Sequence, residues 1–242
     1  MCNPGFLAVA KECLADRDDD GLVDSEEAKF AASVAPALNF SAQEGFKSRL
    51  SHWAVSRTGN MTSVFYALAY AQDGGDPLLG LTQHMGDSEF IVLEFIDGAD
   101  GLATFSRAFL SAHFLADTDA SGWHGADVKF FEDPLGPHPI IWVARSKHGN
   151  YVDLLTCEAG GLGFDTCDAG VGEFVEVLPE RNLGNSRKPL IDRVTRSAGV
   201  DFFWTDQPFC GWQVPATGSR TGCTPAQNSY ARELNLWERG LL

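Results

Sequence analysis

Acidic residues at alternate positions near the N-terminus have the spacing of a calcium-binding loop. Within twelve residues, Asp stands at positions 1, 3, 5 and 9, Gly at position 6 and Glu at position 12. Alternate side chains of such a loop point inward, the glycine permits a sharp turn, and the final glutamate can supply two oxygens to Ca²⁺. Without a cation these carboxylates would repel one another. The ligands predicted for Ca²⁺ are the side chains of Asp16, Asp18, Asp20, Asp24 and Glu27 and the backbone carbonyl of Leu22.

This calcium loop, Asp16 to Glu27, resembles the loop of EF-hand proteins and equally the Asp-x-Asp-x-Asp-Gly repeats of bacterial surface proteins. A short helix is predicted to end near Ala15, and a second to run from Ala28 to Ala35, where Pro36 interrupts the pattern. A single copy in a chain predicted to be secreted implies a structural ion, because extracellular calcium is abundant and constant. The alternative is an acidic turn that is merely solvated.

A second group of possible ligands lies where a turn enters a predicted strand. Asp87 and Glu89 share one face of that strand by its two-residue period, and His84 can fold back toward them from the turn. Asp73 and Asp76, in the preceding loop, could add an oxygen. One imidazole and several carboxylates could hold a divalent cation, Ca²⁺ or Mg²⁺, with water in the open positions. From spacing alone, a polar hairpin mouth without a cation is the favoured alternative.

Two short motifs resemble a known superfamily. His84, Asp87 and Glu89 match the His-x-x-Asp-x-Glu core in the signature of necrosis-inducing, or Nep1-like, proteins, which are cytolytic toxins. Gly86, Asp87 and Glu89 resemble the Gly-Asp-Trp-Glu element of the related Vps62-like proteins. Val143–Tyr151 resembles the Val-Ala-Arg-Gly-Ser-His-Ala-x-Tyr strand end of the same group. The resemblance covers roughly residues 62 to 180.

The resemblance implies a central β-sandwich with a metal at one rim, at a site formed by His84, Asp87, Glu89 and Asp76. We call this predicted cation position the rim site. In the toxins the metal cavity receives a sugar of a membrane glycosphingolipid, and binding leads to membrane damage. The sequence departs from the toxin signature, whose Arg, His and Trp are replaced by Met85, Gly86 and Ser88.

Polar residues at the ends of two other predicted strands could act on a ligand at such a cation. His148 and Tyr151 follow the apolar strand Ile140–Ala144, and His113 ends another. A His and a Tyr near a divalent cation could move a proton, as in a lyase, or activate bound water, as in a hydrolase. If the protein is an enzyme, His148, His113 and Tyr151 are the catalytic candidates. The alternative is that both histidines are hydrogen-bonded at strand ends.

The six cysteines fall into three close pairs along the chain. Because short loops close at low entropic cost, the spacing favours Cys2–Cys13, Cys157–Cys167 and Cys210–Cys223 disulfides. Such bridges indicate an oxidising compartment and predict a secreted protein. Met1 is then interpreted as a start codon added where a leader was removed. The alternatives are six reduced thiols in a cytosolic protein and a lipid anchor on Cys2.

The length, charge and strand pattern of the chain complete the expected architecture. A chain of 242 residues, 44% of them apolar, can bury a full core, and its formal net charge of −15 disfavours nucleic acid as a partner. The longest apolar stretches are far shorter than the roughly 20 residues that cross a bilayer. Strands are predicted at residues 62–71, 89–96, 102–114, 139–145 and 173–178, and a C-terminal helix at Pro225–Trp237.

The sequence therefore predicts a mainly β protein. We expect a helix-loop-helix calcium motif in residues 1–40 and, in residues 41–242, a β-sandwich domain that carries the rim site and the C-terminal helix. Its expected function is cation-dependent binding of a glycan or glycolipid head group, at a membrane surface and with cytolysis as one outcome. The rival function is a metal-dependent hydrolase or lyase acting on an extracellular glycan or ester.

Overall fold

A computed structural model describes residues 15–45, 49–75, 84–99, 101–113, 119–134, 136–168, 170–184, 190, 212–213 and 220–221. Several predictions therefore lie outside the described residues: the first helix, the Cys2–Cys13 and Cys210–Cys223 bridges, Asp76 and the C-terminal helix. The side chain of His84 is also outside them.

Most of the regular secondary structure in the described residues is β-strand. In chain order the strands are β1 Ala37–Phe40, β2 Arg49–Thr58, β3 Met61–Asp73, β4 His84–Asp97, β5 Ala103–Leu110, β6 Gly122–His124, β7 Lys129–Asp133, β8 Gly136–Val143, β9 Asn150–Tyr151, β10 Val171–Phe174, β11 Trp212–Gln213 and β12 Arg220–Thr221. The helices are α1 Asp24–Ser33 and α2 Leu154–Ala159, with short 3₁₀ turns at Gly161–Gly163 and Pro179–Arg181.

The described strands form two sheets. One has the order β10-β1-β8-β7, with β9 also paired to β8, and β1 runs parallel to β8. The other has the order β12-β11-β4-β3-β2, with β5 paired to β4 and β6 to β5. The long antiparallel β3–β4 ladder keeps one register from Met61↔Ile96 to Asp73↔His84. Side chains along this ladder therefore keep to one face of the sheet or the other.

A large apolar cluster joins the two sheets. Leu38 and Ile141 of the first sheet meet Tyr66 and Ile91 of the second within this cluster, and all four are fully buried. Helix α1 closes one side, where the Tyr66 hydroxyl donates to the carbonyl of Ala31 at 2.6 Å. The predicted mainly β, sandwich-like architecture is confirmed.

Four predicted strands lie on observed ones with shifted ends, namely β3, β4, β5 and β8. The segment predicted at 173–178 is a strand at 171–174 instead. The strands that were not predicted are β1, β2, β6, β7, β9, β11 and β12. Helix α1 begins at Asp24, inside the calcium loop, because the acidic first turn of Asp24, Glu26 and Glu27 suits a helix N-terminus. Strand β1, which lies at the end of the predicted helix-loop-helix motif of residues 1–40, belongs to the first sheet. The division of the chain into two parts at residue 40 stays a prediction.

Residues 182–184 lie along β2, the last strand of its sheet among those described. Asn182 forms a parallel bridge with Trp53, and the backbone N–H of Leu183 donates to the Trp53 carbonyl at 2.7 Å. Within the described part of the chain, no helix has the length and apolar character needed to cross a membrane.

The predicted Cys157–Cys167 disulfide is confirmed, with the Cα atoms 6.0 Å apart. Replacing both cysteines by Ala should lower the free energy of unfolding by about 2 kcal/mol, the lower part of the usual range, because the closed loop is short. Urea unfolding of the variant and the parent would measure this difference. Non-reducing peptide mapping provides the control: recovery of Cys157 and Cys167 as free thiols without reduction would contradict the bridge.

Candidate cation sites

The backbone of the calcium loop is shaped by its own carboxylates. Asp16 accepts hydrogen bonds from the backbone N–H groups of Asp20 at 3.1 Å and Gly21 at 2.9 Å, and Asp20 accepts from that of Leu22 at 2.7 Å. Gly21 has a φ of +93°, a conformation that L-residues with a side chain rarely adopt. The loop therefore has its turn where the sequence pattern places the glycine.

The predicted carboxylate ligands converge. Asp18, Asp20 and Glu27 each offer an oxygen within 4.8 Å of the others, as do Asp16, Asp18 and Asp24. Asp24 also accepts hydrogen bonds from the backbone N–H and the side-chain Nε of Arg17. The side chains thus form one acidic group, whereas the ligand role of the Leu22 carbonyl stays a prediction.

Glu27 is the most buried carboxylate of the calcium loop after Asp18, with 3% of its surface exposed. Its Oε2 accepts a hydrogen bond from Asn182 Nδ2 at 3.2 Å, while its Oε1 has no hydrogen-bond partner among the described residues. Burial, and then the charges of Asp20 and Asp18, raise the pKa of Glu27 to about 8. Burial and Asp20 likewise raise the pKa of Asp18 to about 6. A hard divalent cation fits this group, because it would partner Oε1 and offset the repulsion.

The rim residues occupy the end of the β3–β4 ladder at which β3 finishes and β4 begins. Asp87 and Glu89 continue the inward-facing row of Ile91 and Leu93, and both are buried. Asp87 stands opposite Tyr70 in the register. Two carboxylates therefore replace apolar residues at one end of the core, as the two-residue period predicts.

His148 lies against Asp87 and is fully buried. Its Nδ1 is 2.9 Å from Asp87 Oδ2, and its ring stacks on Tyr70 with centroids 3.8 Å apart. A φ of +59° and a hydrogen bond from its N–H to the Ala144 carbonyl place it in a tight turn after β8. This contact brings together two residues that are 61 positions apart in the chain.

Glu89 is held by the segment that follows β5. The hydroxyl of Ser111 donates to Glu89 Oε2, and the backbone N–H of His113 donates to Glu89 Oε1 at 3.2 Å. The His113 ring then reaches Asp165, with Nε2 2.7 Å from Oδ2. Tyr151 donates to the same oxygen at 2.5 Å. Asp73, Asp87, Glu89, His113 and His148 are called the rim cluster below.

The rim cluster holds more carboxylate charge than its surroundings neutralise. Burial and the charge of Asp87 raise the pKa of Glu89 to about 8 and that of Asp73 to about 7. Burial lowers the pKa of His113, but the hydrogen bond and charge of Asp165 outweigh it and raise the pKa to about 9. A cation near Asp73, Asp87 and Glu89 would favour their ionised forms.

Some predicted rim ligands lie outside what the structure describes. The backbone of His84 pairs with Asp73, but its side chain and the whole of Asp76 are not described. Among the described side chains, three carboxylate or imidazole atoms within 4.8 Å of one another occur in the calcium loop and not at the rim. The cation ligands of the rim site therefore stay a prediction.

Sequence reasoning missed Asp165 and Ser111 as members of this region. Asp165 follows the glycine-rich residues 160–163 and has no acidic residue or histidine within two positions of it, and Ser111 has the features of an ordinary strand-end serine. Tyr151 and His113 were candidates, but as catalytic groups beside a metal. In the structure both are joined to Asp165.

No protein-family model and no curated protein matches the chain. The structure is similar to the crystal structure of the non-toxic HaNLP3 protein, with a TM-score of 0.43 and 12% sequence identity. The superposition covers 72% of this chain and 83% of that one. With a TM-score below 0.5, the likeness assigns neither a family nor a role to this chain.

Proposed function

We propose that the protein is secreted and uses a divalent cation at the rim site to bind a neutral glycan or glycolipid head group, with Ca²⁺ in the calcium loop as a structural ion. The observation that carries this proposal is the burial of Asp87 and Glu89, with Asp73 close by, at the end of the core. His84 and an aspartate, Asp73 or Asp76, would complete the ligands. The Cys157–Cys167 bridge supports an oxidising, extracellular setting.

The ligand class follows from charge and hydrogen-bonding chemistry. A net charge of −15 and a cluster rich in carboxylates repel anionic ligands. Carboxylates accept hydrogen bonds, and a hard cation that keeps water in open positions can exchange it for neutral oxygens. A sugar supplies both hydroxyl donors and neutral oxygens. Where the sugar belongs to a glycolipid, the partner is a membrane surface, and cytolysis is an outcome to be tested by dye release from vesicles.

A metal-dependent hydrolase or lyase is the second candidate, favoured by one specific observation. The His113 side chain is 16% exposed and its partner Asp165 is fully buried, the arrangement of an oriented acid–base histidine. His148 suits that role less, because it is fully buried and bonded to Asp87. The raised pKa of His113 keeps it protonated near neutral pH, so that it would act as the acid.

The test measures binding and product release together. The protein is applied to immobilised neutral glycans and to vesicles carrying neutral glycolipids, in Ca²⁺ or Mg²⁺ and then in excess chelator. We expect cation-dependent capture without any released product by mass spectrometry. Equal capture in chelator, or no capture in either cation, would refute the proposal.

Two conservative variants separate binding from catalysis. His113→Gln keeps an N–H donor for Asp165, and His148→Asn keeps one for Asp87, but neither can transfer a proton as histidine does. A binding protein should retain its glycan affinity in both. An enzyme that uses either histidine should keep binding and lose turnover by roughly 10²-fold or more.

A further inference from the structure

Asp165 is a buried carboxylate to which three other side chains are joined. It receives hydrogen bonds from His113 Nε2 and the Tyr151 hydroxyl on Oδ2, and Lys147 Nζ lies 3.3 Å from Oδ1. Burial alone would raise the pKa of Asp165, but the hydrogen bond and charge of His113, then Tyr151 and Lys147, hold it below its usual range. Asp165 is thus an ionised anchor and not an accessible ligand.

The anchor is connected to the rim cluster through one short turn. Ser111 and His113 supply the two donors that orient Glu89, one through a hydroxyl and one through a backbone N–H. His113 has a φ of +56°, in the left-handed region that a residue with a side chain occupies only when its surroundings hold it there. The ring of His113 is held by Asp165. Asp165 therefore fixes the turn on which the orientation of Glu89 depends.

Asp165 is itself fixed by the loop between Cys157 and Cys167, called the disulfide loop below. A Cβ at Gly160 would lie 2.0 Å from the Tyr151 hydroxyl oxygen, and one at Gly161 would lie 2.4 Å from Asp165 Oδ1. Only glycine, which has no Cβ, allows the backbone at these two positions to pack so closely against the Tyr151–Asp165 pair. The bridge closes the loop two residues after Asp165.

We propose that Asp165 is a positioning residue of the rim site: the disulfide loop holds Asp165, Asp165 holds His113, and the turn at His113 holds Glu89 in the orientation that binds the cation. This inference rests on the proposed function. It assigns the disulfide loop a role in binding in addition to its role in stability. Loss of Asp165 should weaken cation binding through Glu89 although Asp165 touches no cation.

The test compares Asp165→Asn with Tyr151→Phe. The control variant removes another hydrogen bond to the same carboxylate oxygen but keeps the His113–Asp165 contact. Both are made in a Glu27→Gln background, so that the calcium loop, which keeps Asp16, Asp18 and Asp24, contributes only weak binding, and are titrated with Ca²⁺ alone by calorimetry. We expect Asp165→Asn to weaken rim binding about tenfold, the lower end of the range for partners of metal ligands, because Asp165 acts on Glu89 only through His113. Tyr151→Phe should change it much less.

Two further measurements separate positioning from a general loss of stability. The lifetime of Tb³⁺ luminescence in H₂O and D₂O counts the waters on the bound ion, and Asp165→Asn should gain one where Glu89 no longer binds. Amide exchange, measured without any cation, should become faster at His113 in Asp165→Asn and stay slow in Tyr151→Phe. Equal affinity and hydration in both variants, with only the melting temperature changed, would overturn the inference.

The outcomes also distinguish this inference from the proposed function. If the Glu27→Gln protein binds no cation, the proposed function fails, while amide exchange at His113 still tests the positioning by Asp165. Should Asp165→Asn not fold, the double variant Cys157→Ala/Cys167→Ala takes its place, because it releases the loop but keeps every side chain of the anchor. Unchanged His113 exchange in that variant would refute the role of the disulfide loop.

Discussion

Glu27→Gln should destabilise the protein in Ca²⁺ and stabilise it in chelator at pH 9. The Glu27 pKa is about 8 in the folded, cation-free protein and 4.5 as its ordinary value. Between these values the folded state holds a proton that the unfolded state has released, so the stability of the cation-free protein falls as pH rises from about 5 to about 8. At pH 9 the parent protein buries a carboxylate whose Oε1 has no partner among the described residues, and Gln removes that charge.

Calcium reverses the sign because it binds a carboxylate, which offers two charged oxygens, more strongly than an amide, which offers one neutral oxygen. At free Ca²⁺ about 100 times the dissociation constant, binding adds about 2.7 kcal/mol to the free energy of unfolding. For a chain of this length that corresponds to roughly 5–10 °C in melting temperature. Thermal melts of parent and variant at pH 6 and pH 9, each in Ca²⁺ and in chelator, would measure this change in the sign of the stability difference.

Glu26→Gln is the matched control for this experiment. Glu26 lies on the same helix turn but is exposed, and it pairs with Lys29 on the surface. It should change neither the calcium response nor its pH dependence. A parent melting curve that is the same in Ca²⁺ and in excess chelator would show that the calcium loop holds no stabilising ion.

Asp87→Ala should abolish both cation binding at the rim site and glycan binding. Asp87 contacts His148, and its charge raises the pKa of Asp73 and Glu89, so it lies at the centre of the rim cluster. Residues that hold a metal ligand in place typically contribute about 10- to 100-fold to metal affinity. We therefore expect the loss of Asp87, a predicted direct ligand, to weaken cation binding by roughly 100-fold or more. Calorimetry with Ca²⁺ and capture on neutral glycans would measure both losses in one preparation.

Glu94→Gln tests whether any buried acid of β4 would have the same effect. Glu94 lies on the same strand, is buried and pairs with Arg107, away from the rim cluster. Glycan binding should survive this change, and the chelator-induced fall in melting temperature should survive in both variants because the calcium loop is intact. Glycan binding that persists in Asp87→Ala would place the binding site elsewhere on the protein.

The sequence predicted best those structural features whose residues are close together in the chain. The calcium loop has its pattern within twelve residues, and β3 and β4 are long strands with many β-branched and aromatic residues. Strand β2 was not predicted because its polar side chains are hydrogen-bonded to residues that are distant in the sequence, and no local pattern shows such partners. Ser51 donates to the Glu176 carbonyl, and Trp53 Nε1 donates to the Leu178 carbonyl, each across 125 positions.

The rim cluster shows the same limit. The shared face of Asp87 and Glu89 follows from strand period alone, and their burial shows that this face is the inner one. The contacts of Asp87 with His148 and of His113 with Asp165 depend on how β8, β9 and the disulfide loop pack against β4. No periodicity or spacing encodes that packing, so Asp165 could be found only in the structure.

The bond between Asn182 and Glu27 links the calcium loop to the protection of a sheet edge. An uncovered edge strand offers free N–H and C=O groups to another chain and is a starting point for aggregation. Residues 182–184 cover β2 at Trp53, and Asn182 is tied at the same time to the buried glutamate of the calcium loop. If Ca²⁺ in the calcium loop orders Glu27, its removal should also loosen this cover, and self-association through β2 in excess chelator is the expected result.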